Sequence, residues 1–76
     1  MSNNKYTVLI IEDETAAAKN LSSILSGVIP EANILATIDT VVDSVEWLES
    51  NPAPDIIFMD IHLSDGESFK IFEKVK

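Results

Sequence analysis

Thr7-Val8-Leu9-Ile10-Ile11-Glu12-Asp13-Glu14 passes in one step from an unbroken apolar run to three consecutive acids. A short run that is continuous rather than alternating, and rich in β-branched residues, reads as a strand buried on both faces, as in the middle of a parallel sheet. The same transition recurs downstream, where Ile56-Ile57-Phe58-Met59 is followed at once by Asp60. Between them, Ile34-Leu35-Ala36-Thr37-Ile38 reads as another short strand.

Outside these runs the period of the apolar residues changes. Ala17, Leu21, Ile24, Leu25 and Val28 recur at helical spacing, with Lys19, Asn20, Ser22 and Ser23 between them. Asp13 or Thr15 suits the cap of that helix, and Gly27 and Pro30 bracket its end. Val41, Val45 and Leu48 predict a second helix, halted by Asn51-Pro52-Ala53-Pro54 because proline cannot continue a helix. Ser64-Asp65-Gly66 signals a turn, and Phe69, Phe72 and Val75 then open a third helix with both phenylalanines in the core. Asp65 is expected to cap that third helix or to favour the turn. Asp39, Asp43, Glu46 and Glu49 read as a solvated face, and Trp47 as a residue packed partly on the domain's own surface. The order β-α-β-α-β-α places the chain in the α/β class, with a doubly wound parallel sheet, right-handed crossovers and helices on both faces.

Composition narrows the function. The 76 residues allow one domain at most, and 46% hydrophobic with 24% charged residues is ordinary for a globular domain. A formal net charge of −8 argues against a nucleic-acid or anionic-membrane surface on this segment, since both need clustered Lys and Arg. There are no cysteines, which excludes disulfides, thiolate chemistry and Cys-based zinc sites. No apolar run is long enough to span a membrane or to serve as a signal-peptide core, so the expected location is cytoplasmic.

In open parallel sheets, chemistry sits just beyond the carboxyl ends of the strands. Glu12, Asp13 and Glu14 follow the first strand and Asp60 follows the third, so they should converge on one edge. An acid after a strand often does no more than cap a helix, but acids after two buried parallel strands are a stronger signal. Carboxylates brought together repel one another unless a cation is present. Mg2+ suits such a site, because it takes carboxylates, keeps several waters and bridges to phosphate. A carboxylate beside such a metal is able to attack phosphorus and form an aspartyl phosphate.

At these residues the sequence resembles response-regulator receiver domains of two-component signalling. The segment from Val8 to Glu14 is similar to their opening strand and acidic pair, and the segment from Pro54 to Gly66 to their third strand, phospho-acceptor and following loop. The loop Asp60-Ile61-His62-Leu63-Ser64-Asp65-Gly66, with Ser68-Phe69-Lys70-Ile71-Phe72 after it, most resembles receivers that carry a LytTR-type DNA-binding output domain. The resemblance implies a flavodoxin-like fold and a role for each site residue. Asp60 would accept the phosphoryl group from a sensor histidine kinase. Asp13 would ligate Mg2+, with Glu12 ligating directly or through water and His62 supplying its backbone carbonyl. Many receivers have proline where His62 stands, and a carbonyl ligand does not depend on that side chain. A lone histidine is otherwise a poor metal site.

Full receivers have five βα units and this chain has three, so residues 1–76 are expected to be a truncated receiver running from strand 1 to helix 3. Glu73-Lys74-Val75-Lys76 carries no helix stop. The Ser or Thr after the family's fourth strand and the Lys after its fifth have no counterpart. The expectation is a fragment that keeps the metal-binding acids, accepts phosphate poorly and does not signal. The third strand would be an apolar exposed edge, favouring a homo-oligomer through that strand or by swapping. Three other readings compete: a pseudo-receiver acting only as an interaction module, a fragment with no function of its own, and an aspartate-nucleophile phosphatase. The phosphatase wants a second acid where this chain has His62.

Overall fold

A computed structural model describes residues 6–75 of the chain. Three parallel strands, β1 (Tyr6–Ile11), β2 (Ala32–Ile38) and β3 (Ile56–Met59), form one sheet in the order β2-β1-β3. The central position of β1 explains its composition, for Val8, Leu9, Ile10 and Ile11 are all completely buried. Successive side chains of a strand point to opposite faces. Val8 and Ile10 accordingly pack with Ala18 and Leu25 of α1 (Thr15–Val28). Leu9 and Ile11 pack on the other face with Ile38, Leu63, Ile71 and Val41, the first residue of α2 (Val41–Ser50). Full burial of each such aliphatic side chain contributes roughly 1.5–3 kcal/mol. This is the doubly wound α/β arrangement, a partial flavodoxin-like fold.

β2 hides an irregularity behind its apolar run. Val8 pairs with Ile34 but Leu9 pairs with Ala36, so Leu35 is an extra residue with no partner on β1. The bulge reverses the facing of the strand. Ala32 and Ile34 belong to the α1-side core, whereas Ala36 and Ile38 belong to the other side.

The start of β3 is clamped to the start of β1. The Asp55 carboxylate accepts the Thr7 N–H at 2.8 Å and the Thr7 hydroxyl at 3.2 Å. In return the Asp55 N–H donates to Thr7 Oγ1 at 2.9 Å and to the Thr7 carbonyl at 3.0 Å. Register then runs without a shift from Val8–Ile56 to Ile11–Met59.

Several expectations need correction. Ile24 and Val28 are exposed, because α1 rests on a narrow three-stranded sheet that only the Ala18–Leu25 line reaches deeply. The α1 cap is Glu14, with no side-chain hydrogen bond, and neither Asp13 nor Thr15. Residues after Asp60 form a two-residue hairpin, β4 (His62–Leu63) with β5 (Gly66–Glu67), closed by Gly66 at φ +145°, a conformation open to glycine. A 3-10 turn (Ser68–Lys70) precedes a short α3 (Ile71–Lys74), and Val75 is already extended. In the tighter turn, side chains three apart share a side. Ser68 and Ile71 therefore point inward, and Phe69 and Phe72, expected in the core, are half exposed. Trp47 is half-buried against the core as expected, and Asp39, Asp43, Glu46 and Glu49 are exposed.

Candidate functional site

Both ladders of β1 run on into the acids. The Glu12 N–H donates to the Ile38 carbonyl of β2 at 2.8 Å, and the Asp60 N–H donates to the Ile11 carbonyl at 3.0 Å. These bonds leave Glu12 and Asp60 side by side at the carboxyl edge, with Asp13 one residue on. One carboxylate oxygen from each of Glu12, Asp13 and Asp60 lies within 4.8 Å of the other two. Asp13 and Asp60 are exposed and Glu12 is half-buried. Glu14, the third acid of the run, turns away to start α1.

The electrostatics follow from this packing. Burial pushes the Glu12 carboxyl above its ordinary value. The Glu14 backbone N–H, 3.5 Å from Glu12 Oε2, pulls the other way, while the neighbouring Asp60 and Asp13 carboxylates add to the rise. The donor set is entirely hard oxygen; ligand oxygens around one Mg2+ stand about 3–4 Å apart, so three oxygens within 4.8 Å need only a small side-chain rotation to close on one ion. The residues fit a Mg2+-like ion on chemistry and on reach. Clefts flank the trio on either side of α1. One, of about 280 Å³, runs between Glu12, Asp60, Leu21 and Phe58, and the other passes over Asp13, Lys19 and Asp39.

His62 lies next to the trio, and the hairpin fixes its backbone. The Ser68 N–H donates to the Ile61 carbonyl at 2.8 Å, so the Ile61–Ser68 pair is hydrogen-bonded. Antiparallel pairs alternate between bonded and non-bonded. The adjacent His62–Glu67 pair is therefore of the non-bonded kind, and the His62 N–H and C=O both face away from β5. The N–H lies 3.5 Å from Asp60 Oδ1, which puts that outward edge on the side of the acids.

Asp65 lies in the turn, as one of its two expected roles has it, but the helix it caps is not the expected one. It caps α2, not α3: its two oxygens accept the Val41 N–H at 2.7 Å and the Val42 N–H at 3.1 Å. Thr40 completes the cap by accepting the Asp43 N–H at 3.0 Å. The Val41 bond, the largest influence, holds the Asp65 carboxyl below the usual carboxylate range against an opposing desolvation, with a lesser contribution from the Val42 bond. A capping partner 24 residues away leaves no local pattern to read.

A parallel α/β unit with acids delivered to one edge by neighbouring strands is the arrangement that the sequence resemblance to response-regulator receivers implies. Comparison with known proteins agrees. The chain is 37% identical over 68 residues to the sensory transduction protein LytT of Enterococcus faecalis, and 39% identical over 69 residues to that of Bacillus anthracis. The matches cover 90% and 91% of this chain but 27% of each relative, so the chain spans about a quarter of their length. LytT of Bacillus cereus matches at 38% identity over a similar stretch. No family model and no solved structure matches the chain. Over the residues matched, the chain is similar to about a quarter of the length of the LytT sensory transduction proteins, consistent with a response-regulator receiver fragment. Among the described residues no helix is long and apolar enough to cross a membrane.

Proposed function

We propose that this chain is a phosphoryl-accepting receiver whose acceptor is Asp60, working with Mg2+ held by Asp13, Glu12, Asp60 and the His62 carbonyl. The observation that carries the reading is the convergence of Glu12, Asp13 and Asp60 within 4.8 Å at the ends of adjacent parallel strands. A bound Mg2+ supplies charge neutralisation to the acids and to an incoming phosphoryl group. The chain supplies the rest. The Asp60 N–H bond to Ile11 holds the acceptor at the edge, where its carboxylate is exposed to a donor. An Asp60 oxygen attacks phosphorus, the bond from phosphorus to the donor atom breaks, and the donor leaves with that electron pair. The donor in the cell is a sensor histidine kinase, the setting is cytoplasmic, and a DNA-binding output domain reads the signal in the whole regulator. The chain receives a group once and does not turn over a substrate, so it is not an enzyme. An interaction-only role leaves the acidic trio without a purpose.

The outer edge of β3 has no strand beside it among the described residues. This supports pairing with a second copy, which sedimentation at increasing concentration tests; a monomer throughout counts against it.

The central test is incubation with acetyl phosphate and Mg2+, read by intact mass, on wild type and Asp60→Asn. One added phosphoryl mass is expected on wild type, and none on the variant or in EDTA. Mass retained in Asp60→Asn removes Asp60 as acceptor. No added mass under any condition removes phosphoryl acceptance by this chain.

A further inference from the structure

The hairpin after Asp60 is held at three points. Leu63 is buried in the core beside Leu9 and Ile11. The Ser68–Ile61 hydrogen bond closes its base, and Ser68 itself is buried. The third tie, at the tip, is a side chain reaching a different element: both oxygens of Asp65 accept the opening N–H groups of α2. The first N–H groups of a helix have no partner within it. Thr40 caps only the Asp43 N–H, so Asp65 supplies the acceptors that the local sequence lacks for Val41 and Val42. Bonds to an ionised acceptor are the strong kind, and a negative charge at a helix N-terminus is favoured.

The Ser68 bond closes the base, and the arm that carries His62 is held by the apolar contact of Leu63, which fixes depth but not direction. Loss of the Asp65 tie would free the Leu63–Gly66 end of the hairpin to shift, and His62, next to Leu63 and without a ladder bond of its own, would shift with it. We propose that Asp65 is a positioning residue for the cation site: by tying the hairpin tip to α2, it keeps the His62 carbonyl beside Glu12, Asp13 and Asp60. The inference rests on the receiver reading above and adds a residue to it. It also makes the start of α2 part of the support of the site.

The test compares Asp65→Ala with Thr40→Ala. Both remove part of the cap of α2, and only the first releases the hairpin. Mg2+ titrations followed by backbone amide shifts give affinity, and amide hydrogen exchange of Gly66 and Ser68, the hydrogen-bonded positions of that arm, reports the hairpin. Asp65→Ala should weaken Mg2+ binding about tenfold, the usual scale for groups supporting a ligand, and speed exchange in the hairpin. Thr40→Ala should lower the melting temperature while leaving affinity within about twofold. Asp65→Asn, which keeps one acceptor, should fall between and guards against a poorly folded alanine variant. Equal affinity in wild type, Asp65→Asn and Asp65→Ala overturns the positioning role and spares the receiver reading. An equal loss in Thr40→Ala overturns it too, since α2 stability alone would then account for the effect. Wild type that binds no Mg2+ overturns both.

Discussion

Asp60→Asn should make the metal-free protein more stable, and the size of the gain follows from the acidic edge. Asp60 faces two other carboxylates with oxygens no more than 4.8 Å away. Two unit charges at that distance repel by about 0.9 kcal/mol at the dielectric constant of water. Losing two such pairs would remove about 1.7 kcal/mol, and a Debye length of about 8 Å at physiological salt cuts this to ~1 kcal/mol. For a domain of this size, 1 kcal/mol shifts the melting temperature by roughly 4–8 °C. The weak His62 N–H contact survives, because the asparagine carbonyl oxygen still accepts. With Mg2+ in excess the order should reverse. A ligand at a hundred times its dissociation constant stabilises by about 2.7 kcal/mol, and the variant forfeits most of this. The assay is thermal unfolding by circular dichroism in EDTA and in excess Mg2+, which should give curves that change places. A variant less stable than wild type in EDTA would refute the repulsion argument. An equal Mg2+ response in both proteins would take Asp60 out of the cation site.

Ile71→Ala should destabilise by about 2–5 kcal/mol in denaturant titration, because Ile71 is completely buried. Phe72→Ala beside it should fall within about 1 kcal/mol, and a reversed ranking would contradict the inward face assigned to the 3-10 turn. Gly66→Ala should cost about 1–3 kcal/mol from its positive φ alone, since an added Cβ would meet Val41 at an ordinary 3.9 Å; an unchanged midpoint would count against the turn geometry. Asp65 has its folded carboxyl lowered, so its stabilisation is fully present above the unfolded value near 3.9 and is lost as pH falls through the lower folded value. Asp65→Asn should therefore flatten the acid limb of the stability profile below about pH 4, and an unaltered limb would argue against the α2 bonds.

The strands and the acidic edge were legible because both depend on local order. An unbroken apolar run suits a strand covered on both faces of the sheet, and an acid placed at its end emerges at the carboxyl edge. Val8 to Ile11 and Ile56 to Met59 carry that information without help from the rest of the chain. Other features required knowledge of partners distant in sequence. Leu35 looks like any other strand residue until β1 is laid beside it and one residue is found to be surplus. Phe69 and Phe72 have helical spacing, but the chain enters through a 3-10 turn, and a change from 3.6 to 3.0 residues per turn moves the inward face to Ser68 and Ile71. Asp65 lies in a turn that precedes a helix, so nearby sequence favours a local role. Its actual partners become its neighbours only when the hairpin folds back on α2.

The reciprocal bonds between Thr7 and Asp55 bear on how such a chain tolerates change in length. From Thr7 to Glu12 is five residues, and from Asp55 to Asp60 is also five. The two strands act as matched rulers read from one zero mark. Inserting a single residue into either would carry its acid about 3.3 Å past the other and turn the side chain to the opposite face. Inserting one into each would lengthen the sheet and leave the two acids abreast. Viable insertions and deletions here should therefore come in pairs, and a designer could set how far the acids stand from the clamp only by editing both strands together.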